Sequence, residues 1–298
     1  MPLINTIIQP VIKSAVQRVD GVIDIPLLLE TYSDATAGYS FRDIGANGGA
    51  VVRVRNNSDS EQDFTASEVS DGTLASFCNG VGVGDGFVSI WYDQSGNGLN
   101  MTQSTADDQP KIVSNGSIFL LNNKPAMNFD GSSDFLTLAE DVSVLFNFDP
   151  TSSSYHPVNT IMFVGKNISG NQSFIGKNTN YISAPFSSNV YEFHTATSGT
   201  YETALAPLLN SNLILSIQCP SENNFSIREN GVSKTLGGTN NITGSSALSI
   251  GTFGQAKKHR GFSSFQNMEV NELVWMKNRL TTEIVDIEND ANNFYSVF

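Results

Sequence analysis

The sequence predicts a mainly β fold, an antiparallel β-sandwich (jelly roll) with a short N-terminal helix and a C-terminal helix. Three observations carry that expectation. Short apolar runs with period-two alternation recur from about residue 27 onward. Gly- and Asn-rich turn signals separate them, at Asn122-Asn123-Lys124-Pro125, Asp130-Gly131, Asn230-Gly231 and Gly237-Gly238. No regular series of helices intervenes, as a parallel α/β chain would require.

The elements follow in order. Over residues 3–18, Ile4, Ile7, Ile8, Val11, Ile12 and Ala15 fall on one helical face, with Pro10 kinking or restarting the helix. Gln17-Arg18-Val19-Asp20-Gly21 reads as a hinge, which divides the chain into a helical anchor at 1–20 and a sandwich at 21–298. An isolated helix of that length is marginal in water. It docks either on its own domain or in a neighbouring subunit or larger assembly, and the second reading is preferred. Strands are expected at Ala50 to Arg55, with Arg53 and Arg55 on one face, and around Phe119, Phe163, Leu215, Leu248 and Leu273. In Gly86 to Tyr92, alternation places Phe87, Ser89 and Trp91 on one face and Val88, Ile90 and Tyr92 on the other. Asp93 to Gly98 then supplies a tight turn. A last helix spans Thr281 to Asn292, capped by Thr281, with Ile284, Ile287 and Ala291 along one side.

Composition narrows the function classes. Charged residues make up only 15% of the 298 residues, against roughly 25% in ordinary soluble proteins, and Ser, Thr, Asn and Gly take their place. Such a surface suits an exposed virion-type or extracellular β protein. A net charge of -13 argues against a nucleic-acid partner, because phosphate backbones demand clustered Lys and Arg. The one basic cluster, Lys257-Lys258-His259-Arg260, reads as a solvated loop. The N-terminus lacks the basic start and apolar core of a secretory signal, and no segment is long enough to span a membrane. Cys78 and Cys219 read as free, half-buried thiols, their pairing left open.

Several runs together resemble a known module. Gly38-Tyr39-Ser40-Phe41-Arg42, Val52-Arg53-Val54-Arg55, Gly84-Asp85-Gly86-Phe87, Trp91-Tyr92-Asp93-Gln94-Ser95-Gly96-Asn97-Gly98, Gln109-Pro110-Lys111 and Phe129-Asp130-Gly131 occur in that order. The order resembles the arabinofuranosidase B-type domain of glycoside hydrolase family 54, and more closely its non-enzymatic relatives in bacteriophage virion proteins. The resemblance implies a concanavalin A/laminin-G-like sandwich. It is specific over residues 27–138 and weak beyond them.

Family membership also implies where a catalytic pair would sit. Retaining glycosidases need two carboxyl groups about 5 Å apart. The family's nucleophile segment corresponds to Gly165 to Tyr181, and its acid/base segment follows Leu248-Ser249-Ile250-Gly251. Neither stretch carries Asp or Glu. Other chemistries fare no better: His156, His194 and His259 are scattered, and no G-x-S-x-G, HExxH or CxxC occurs. No metal or cofactor is therefore expected.

For glycan contact the candidates are Trp91 and Tyr92 as stacking rings, with Asp93 and Asn97 as hydrogen-bonding groups. The structural reading outweighs this one: Asp93 and Asn97 hold the turn while Trp91 and Tyr92 fill the core. Arg53 and Arg55 are expected to pair with Glu61 and Asp63. Asp130-Gly131-Ser132-Ser133-Asp134 could ligate Ca²⁺ but reads better as an Asp-Gly turn. Tyr181, Phe186, Tyr191, Phe193 and Tyr201 form either a glycan platform or a core-facing strand.

These readings converge on a non-enzymatic structural protein of a bacteriophage particle, a head fibre, decoration or tail-associated protein displayed on the virion surface. Its partners would be other virion proteins, reached through Ile4, Ile7, Ile8, Val11 and Ile12. A homo-oligomer, preferably a trimer, and weak binding to host-surface glycan complete the expectation. The alternative is a retaining α-L-arabinofuranosidase acting on arabinose-containing polysaccharide.

Overall fold

The computed structural model describes residues 18–298, apart from 20–21, 24–25, 46–47, 149–158, 168–172, 178–179, 187–189, 196–198, 203–207, 209, 222–223, 235–245, 258–262, 266 and 278. The expected helix at 3–18, with Ile4, Ile7, Ile8, Val11 and Ile12, lies outside the described residues except for its last position. Arg18 itself pairs with Ile23 in a two-residue antiparallel ladder, so the helix does not reach it.

Two antiparallel layers build the sandwich. The back layer runs Ala37–Ser40, Asn267–Lys277, Asn159–Asn167, Leu213–Ser221, Asn224–Glu229 and Val232–Lys234. The front layer runs Glu61–Thr65, Ala50–Asn56, Gly86–Trp91, Met101–Thr102, Leu136–Phe148, Ser246–Phe253, Ser173–Lys177, Asn180–Phe186, Val190–Thr195 and Gly199–Glu202. Strand Met127–Asp130 pairs with both Asn267–Lys277 and Lys111–Ser114, which joins the layers at one side.

The central strand Asn267–Lys277 is buried on both faces, and its alternation explains the architecture. Leu273 and Trp275 enter the inter-sheet core with Ile161, Phe163 and Leu215. Val274 and Met276 point the other way, into a second core with Met162, Val164, Ile214 and the helix residues Leu28, Leu29, Ile287, Ala291 and Tyr295. The back layer is therefore helix-covered, and the fold has three layers there. A bulge sets the phase: Val164 pairs with Glu272 but Gly165 with Val270, so Asn271 is the extra residue. Val270 and Leu273, three apart, both reach the inter-sheet core as a result. Gly165 is required at this point, since a Cβ there would stand 2.4 Å from the Glu269 carbonyl oxygen.

A second bulge corrects the expected pattern of the Trp91 strand. Arg53 pairs with Ile90 and Val54 with Val88, leaving Ser89 extra. Val88 and Trp91 consequently face the same core, while Phe87 turns outward beneath Arg55. Strict alternation had put Val88 opposite Trp91. At the core's centre Tyr39 meets Trp91 at 5.4 Å and Trp275 at 5.7 Å between ring centroids, so one ring touches a tryptophan from each layer. Such pairs contribute about 1 kcal/mol each beyond burial.

Other expectations need adjustment. Period two does not begin at residue 27: Leu28–Thr31 is a helical turn, and the Leu27 amide donates to the Glu30 carboxylate at 2.7 Å. Helices Ala66–Ser70 and Thr73–Asn79 interrupt the strands, the first started by a capping box between Thr65 and Glu68. The last helix extends to Tyr295, and Leu280, not Thr281, precedes it, because the Glu283 carboxylate reaches back to the Leu280 amide at 2.7 Å. Cys78 is free and fully buried, not half-buried, and burial pushes its thiol up to about 11. No helix among the described residues is long and apolar enough to cross a membrane.

Charge ties the last helix to the sheet. Glu272, fully buried, accepts from Arg42 at 2.8 Å and from the hydroxyls of Ser40 and Tyr295, while Arg42 also reaches Asp290. Glu288 binds Arg228 at 2.9 Å. Glu272→Gln leaves Arg42 without its buried counter-charge, and urea unfolding is expected to show a loss of about 3 kcal/mol.

Candidate functional site

The Trp91–Gly98 block lies where the Gly86–Trp91 strand leaves the front layer and meets strand Ala37–Ser40 and the loops that flank it. Asp93, Gln94 and Asn97 tie it to that segment. Asp93 accepts from the amides of Gly38 (2.9 Å), Ser95 (2.9 Å) and Leu99 (3.1 Å) and from the Ser95 hydroxyl (2.8 Å). Its own amide donates to Asn100 Oδ1. Asn97 donates from Nδ2 to the carbonyls of Ala35 (3.0 Å) and Thr36 (2.9 Å). Gln94, which the sequence reading passed over, accepts from the Ile44 amide and donates to the carbonyls of Ser40 and Arg42. The approach is so close that a Cβ at Gly45 would sit 2.3 Å from the Gln94 carbonyl oxygen. A polar side chain whose bonds go to loop backbone is a clamp, and spacing along the sequence could not reveal partners about 50 residues away.

Trp91 has no exposed surface, so its ring has no face for a sugar. Tyr92 is different. It emerges on the outer face of the front layer, where its hydroxyl donates to Asp63 Oδ1 at 2.8 Å. Burial, then the Asp63 carboxylate, pushes its phenol up to about 12. Arg53 holds the same carboxylate with two bonds at 2.6 and 2.9 Å, which draws the Asp63 carboxyl below the usual range. Arg55 pairs with Asp59 and Gln109 and not with Glu61.

Asp130 accepts from the amides of Ser132, Ser133 and Asp134, the Asp-Gly turn expected. Asp134 returns the bond to the Asp130 amide. Burial, reinforced by the charges of Asp130 and Asp108 and opposed by Lys111, lifts the Asp134 carboxyl to about 7. Among the described residues no group of three His, Cys, Asp or Glu side chains could hold a metal.

The stretches that the family resemblance aligns with a catalytic pair turn out to be neighbours. Strand Ser173–Lys177 pairs with Ser246–Phe253, with Ile175 opposite Phe253 and Gly176 opposite Thr252. No Asp or Glu occurs anywhere between Asp149 and Glu192, nor between Glu229 and Glu269. A shift of several residues in the alignment would therefore still find no carboxylate. Two of the bounding acids are paired, Glu229 with Lys234 at 2.6 Å and Glu269 with Lys166 at 3.9 Å.

No known protein family matches the chain, and no curated protein matches it by sequence. Solved structures do. The chain is similar to a family 54 α-L-arabinofuranosidase soaked with a cyclic sulfate inhibitor, with TM-score 0.55 and 14% identity. It is similar also to an arabinofuranosidase complexed with arabinofuranosyl-α-1,2-xylobiose, with TM-score 0.56 and 15% identity. Each match covers 91% of this chain and 64% of the other, so the chain spans less than two thirds of those proteins. A Trypanosoma rangeli sialidase mutant displaying trans-sialidase activity overlaps over 70% of this chain, with TM-score 0.45 and 10% identity. The protein is thus an antiparallel β-sandwich backed by a C-terminal helix. More particularly, it has the sandwich fold of the arabinofuranosidase structures.

Two kinds of measurement test the site. Asp93→Ala is expected to cost on the order of 3 kcal/mol by chemical unfolding, because several amides lose a charged acceptor together. Asn97→Ala, at an exposed position, is expected to cost about 1 kcal/mol. Second, Asp134 binds a proton more tightly in the folded than in the unfolded chain. Its contribution is present at low pH and is lost as pH rises from about 4 through about 7. Melting temperatures of wild type and Asp134→Asn should therefore converge below about pH 4 and diverge as pH rises, with the variant the more stable at pH 8.

Proposed function

We propose that this chain is a non-catalytic sandwich module that is displayed on a bacteriophage particle, built on a fold it shares with arabinofuranosidases. One observation carries the non-catalytic part: the two strands aligned with the catalytic segments are adjacent, and both lie inside long stretches free of Asp and Glu. A retaining or inverting glycosidase needs an acid and a second carboxylate flanking the scissile bond. The polar side chains of the most family-like motif support this reading, since Asp93, Gln94 and Asn97 all bond backbone around residues 35–45.

The particle assignment rests on the motif order of residues 27–138 and on the apolar stripe of the N-terminal segment. That stripe would seat the module among other virion proteins or bundle it with copies of itself, a trimer being preferred. Weak recognition of host-surface glycan is a secondary role, for which half-buried Tyr92 is the accessible ring. The competing function is hydrolysis of arabinose-containing polysaccharide.

Purified protein incubated with 4-nitrophenyl α-L-arabinofuranoside is expected to release no nitrophenol above the blank, and steady release would overturn the non-catalytic reading. Deletion of residues 1–20 is expected to leave a folded sandwich that no longer joins particles. Normal incorporation would remove the anchor role from Ile4, Ile7, Ile8, Val11 and Ile12.

A further inference from the structure

The outer face of the front layer carries an aromatic ring that the fold lays along the sheet and fixes at its edge. Tyr92 follows strand Gly86–Trp91, and its amide donates to the Val51 carbonyl at 3.0 Å, so it runs on beside Ala50–Asn56. Asp63, which accepts from the Tyr92 hydroxyl at 2.8 Å, belongs to the next strand over, Glu61–Thr65. The bond therefore crosses the strand between them, two spacings of about 4.8 Å each. A phenol standing upright off the sheet could not span that distance, so the ring lies over Ala50–Asn56. A bulge clears the space: Ala50 pairs with Thr65 and Val52 with Phe64, leaving Val51 extra. Val51 and Val52 are both buried in the core, so neither raises a side chain to solvent there. Half-buried Tyr92 thus turns one ring face to the sheet and the other outward.

Polar groups stand at the ring's edge with bonds to spare. Arg53 holds the Asp63 carboxylate through Nε and Nη2, and none of the described residues accepts from its Nη1. Asp63 takes two bonds from Arg53 and one from Tyr92, while a carboxylate has about four acceptor positions. The two side chains are 36% and 42% exposed, so the remaining donor and acceptor face water. Charge around them is negative on balance. Asp63 neutralises Arg53, Glu61 is exposed on the same strand as Asp63, and the chain carries a net charge of -13.

We propose that Tyr92, Arg53 and Asp63 form a binding subsite for a neutral pyranose. One C–H face of the sugar stacks on the Tyr92 ring, and neighbouring hydroxyls accept from Arg53 Nη1 and donate to Asp63. The polarised C–H groups of a pyranose face suit the negative face of an aromatic ring. A hydroxyl both donates and accepts, which matches a guanidinium set beside a carboxylate. An acidic sugar would bring its own carboxylate up to Asp63 and Glu61, and like charges disfavour it. The assignment rests on the surface-glycan role proposed above and gives that role a site and a sugar class.

The test is an NMR titration of the full chain with methyl β-D-galactopyranoside, methyl β-D-glucopyranoside and the anionic methyl β-D-glucuronide. Wild type is expected to bind a neutral glycoside in the millimolar range and the glucuronide more weakly. Tyr92→Ala is expected to weaken neutral binding about tenfold, the size of one aromatic contact. Tyr92→Phe keeps the ring but loses the bond that lays it down, and its affinity should fall between the two. Arg53→Gln should also weaken binding while its unfolding midpoint stays near that of wild type, since exposed ion pairs contribute little stability. That variant separates loss of a contact from loss of the fold. Neutral binding unchanged in Tyr92→Ala and Arg53→Gln would overturn the subsite and leave the glycan role to another part of the chain. Tighter binding of the glucuronide would overturn the sugar class. Binding of none of the three overturns the subsite, and silence on a glycan array as well would remove the glycan role with it.

Discussion

The Asp93 carboxylate is the fixed point on which the core is assembled. By accepting from Gly38, Ser95 and Leu99 it joins the end of a front-layer strand to the start of a back-layer strand. Gly38 is followed by Tyr39, whose ring then lies between Trp91 and Trp275. A single acidic side chain thus sets the register at which the two layers' largest rings meet. Gln94 and Asn97 repeat the device on either side, each satisfying loop carbonyls that would otherwise be lost to water in a tight corner.

This arrangement shows where the bonds of the most recognisable motif in the chain go. Its aspartate and asparagine belong to the residue types that bind sugars, yet here they bind backbone. What the motif builds is the corner itself. Ser173–Lys177 and Ser246–Phe253, paired elsewhere in the front layer, carry no carboxylate.

The helix-covered back layer is a second constraint. Because the central strand is buried on both faces, its fully buried charged residue, Glu272, needs several partners, and it finds them in Arg42, Ser40 and Tyr295. The C-terminal helix is therefore held by apolar packing and by buried charge together. Among the described residues no helix covers the front layer's outer face around Tyr92, Asp63 and Arg53.

The sequence alone determined the fold class, most strand positions, the Asn-Gly turns and the apolar stripe of the last helix. Each of these depends on local period or on the conformational freedom of one residue. It also determined that carboxylates are missing from two long stretches. Tertiary structure decided what local signals cannot hold. Ser89 and Asn271 bulge, which returns Val88 and Val270 to the core against the expected alternation. Asp93 and Asn97 each reach residues that lie 55 to 62 positions away. Register alone brings Gly176 opposite Thr252. Pairing between strands is a long-range choice made by burial and loop closure, so the sequence names the strands but the packed molecule assigns their neighbours.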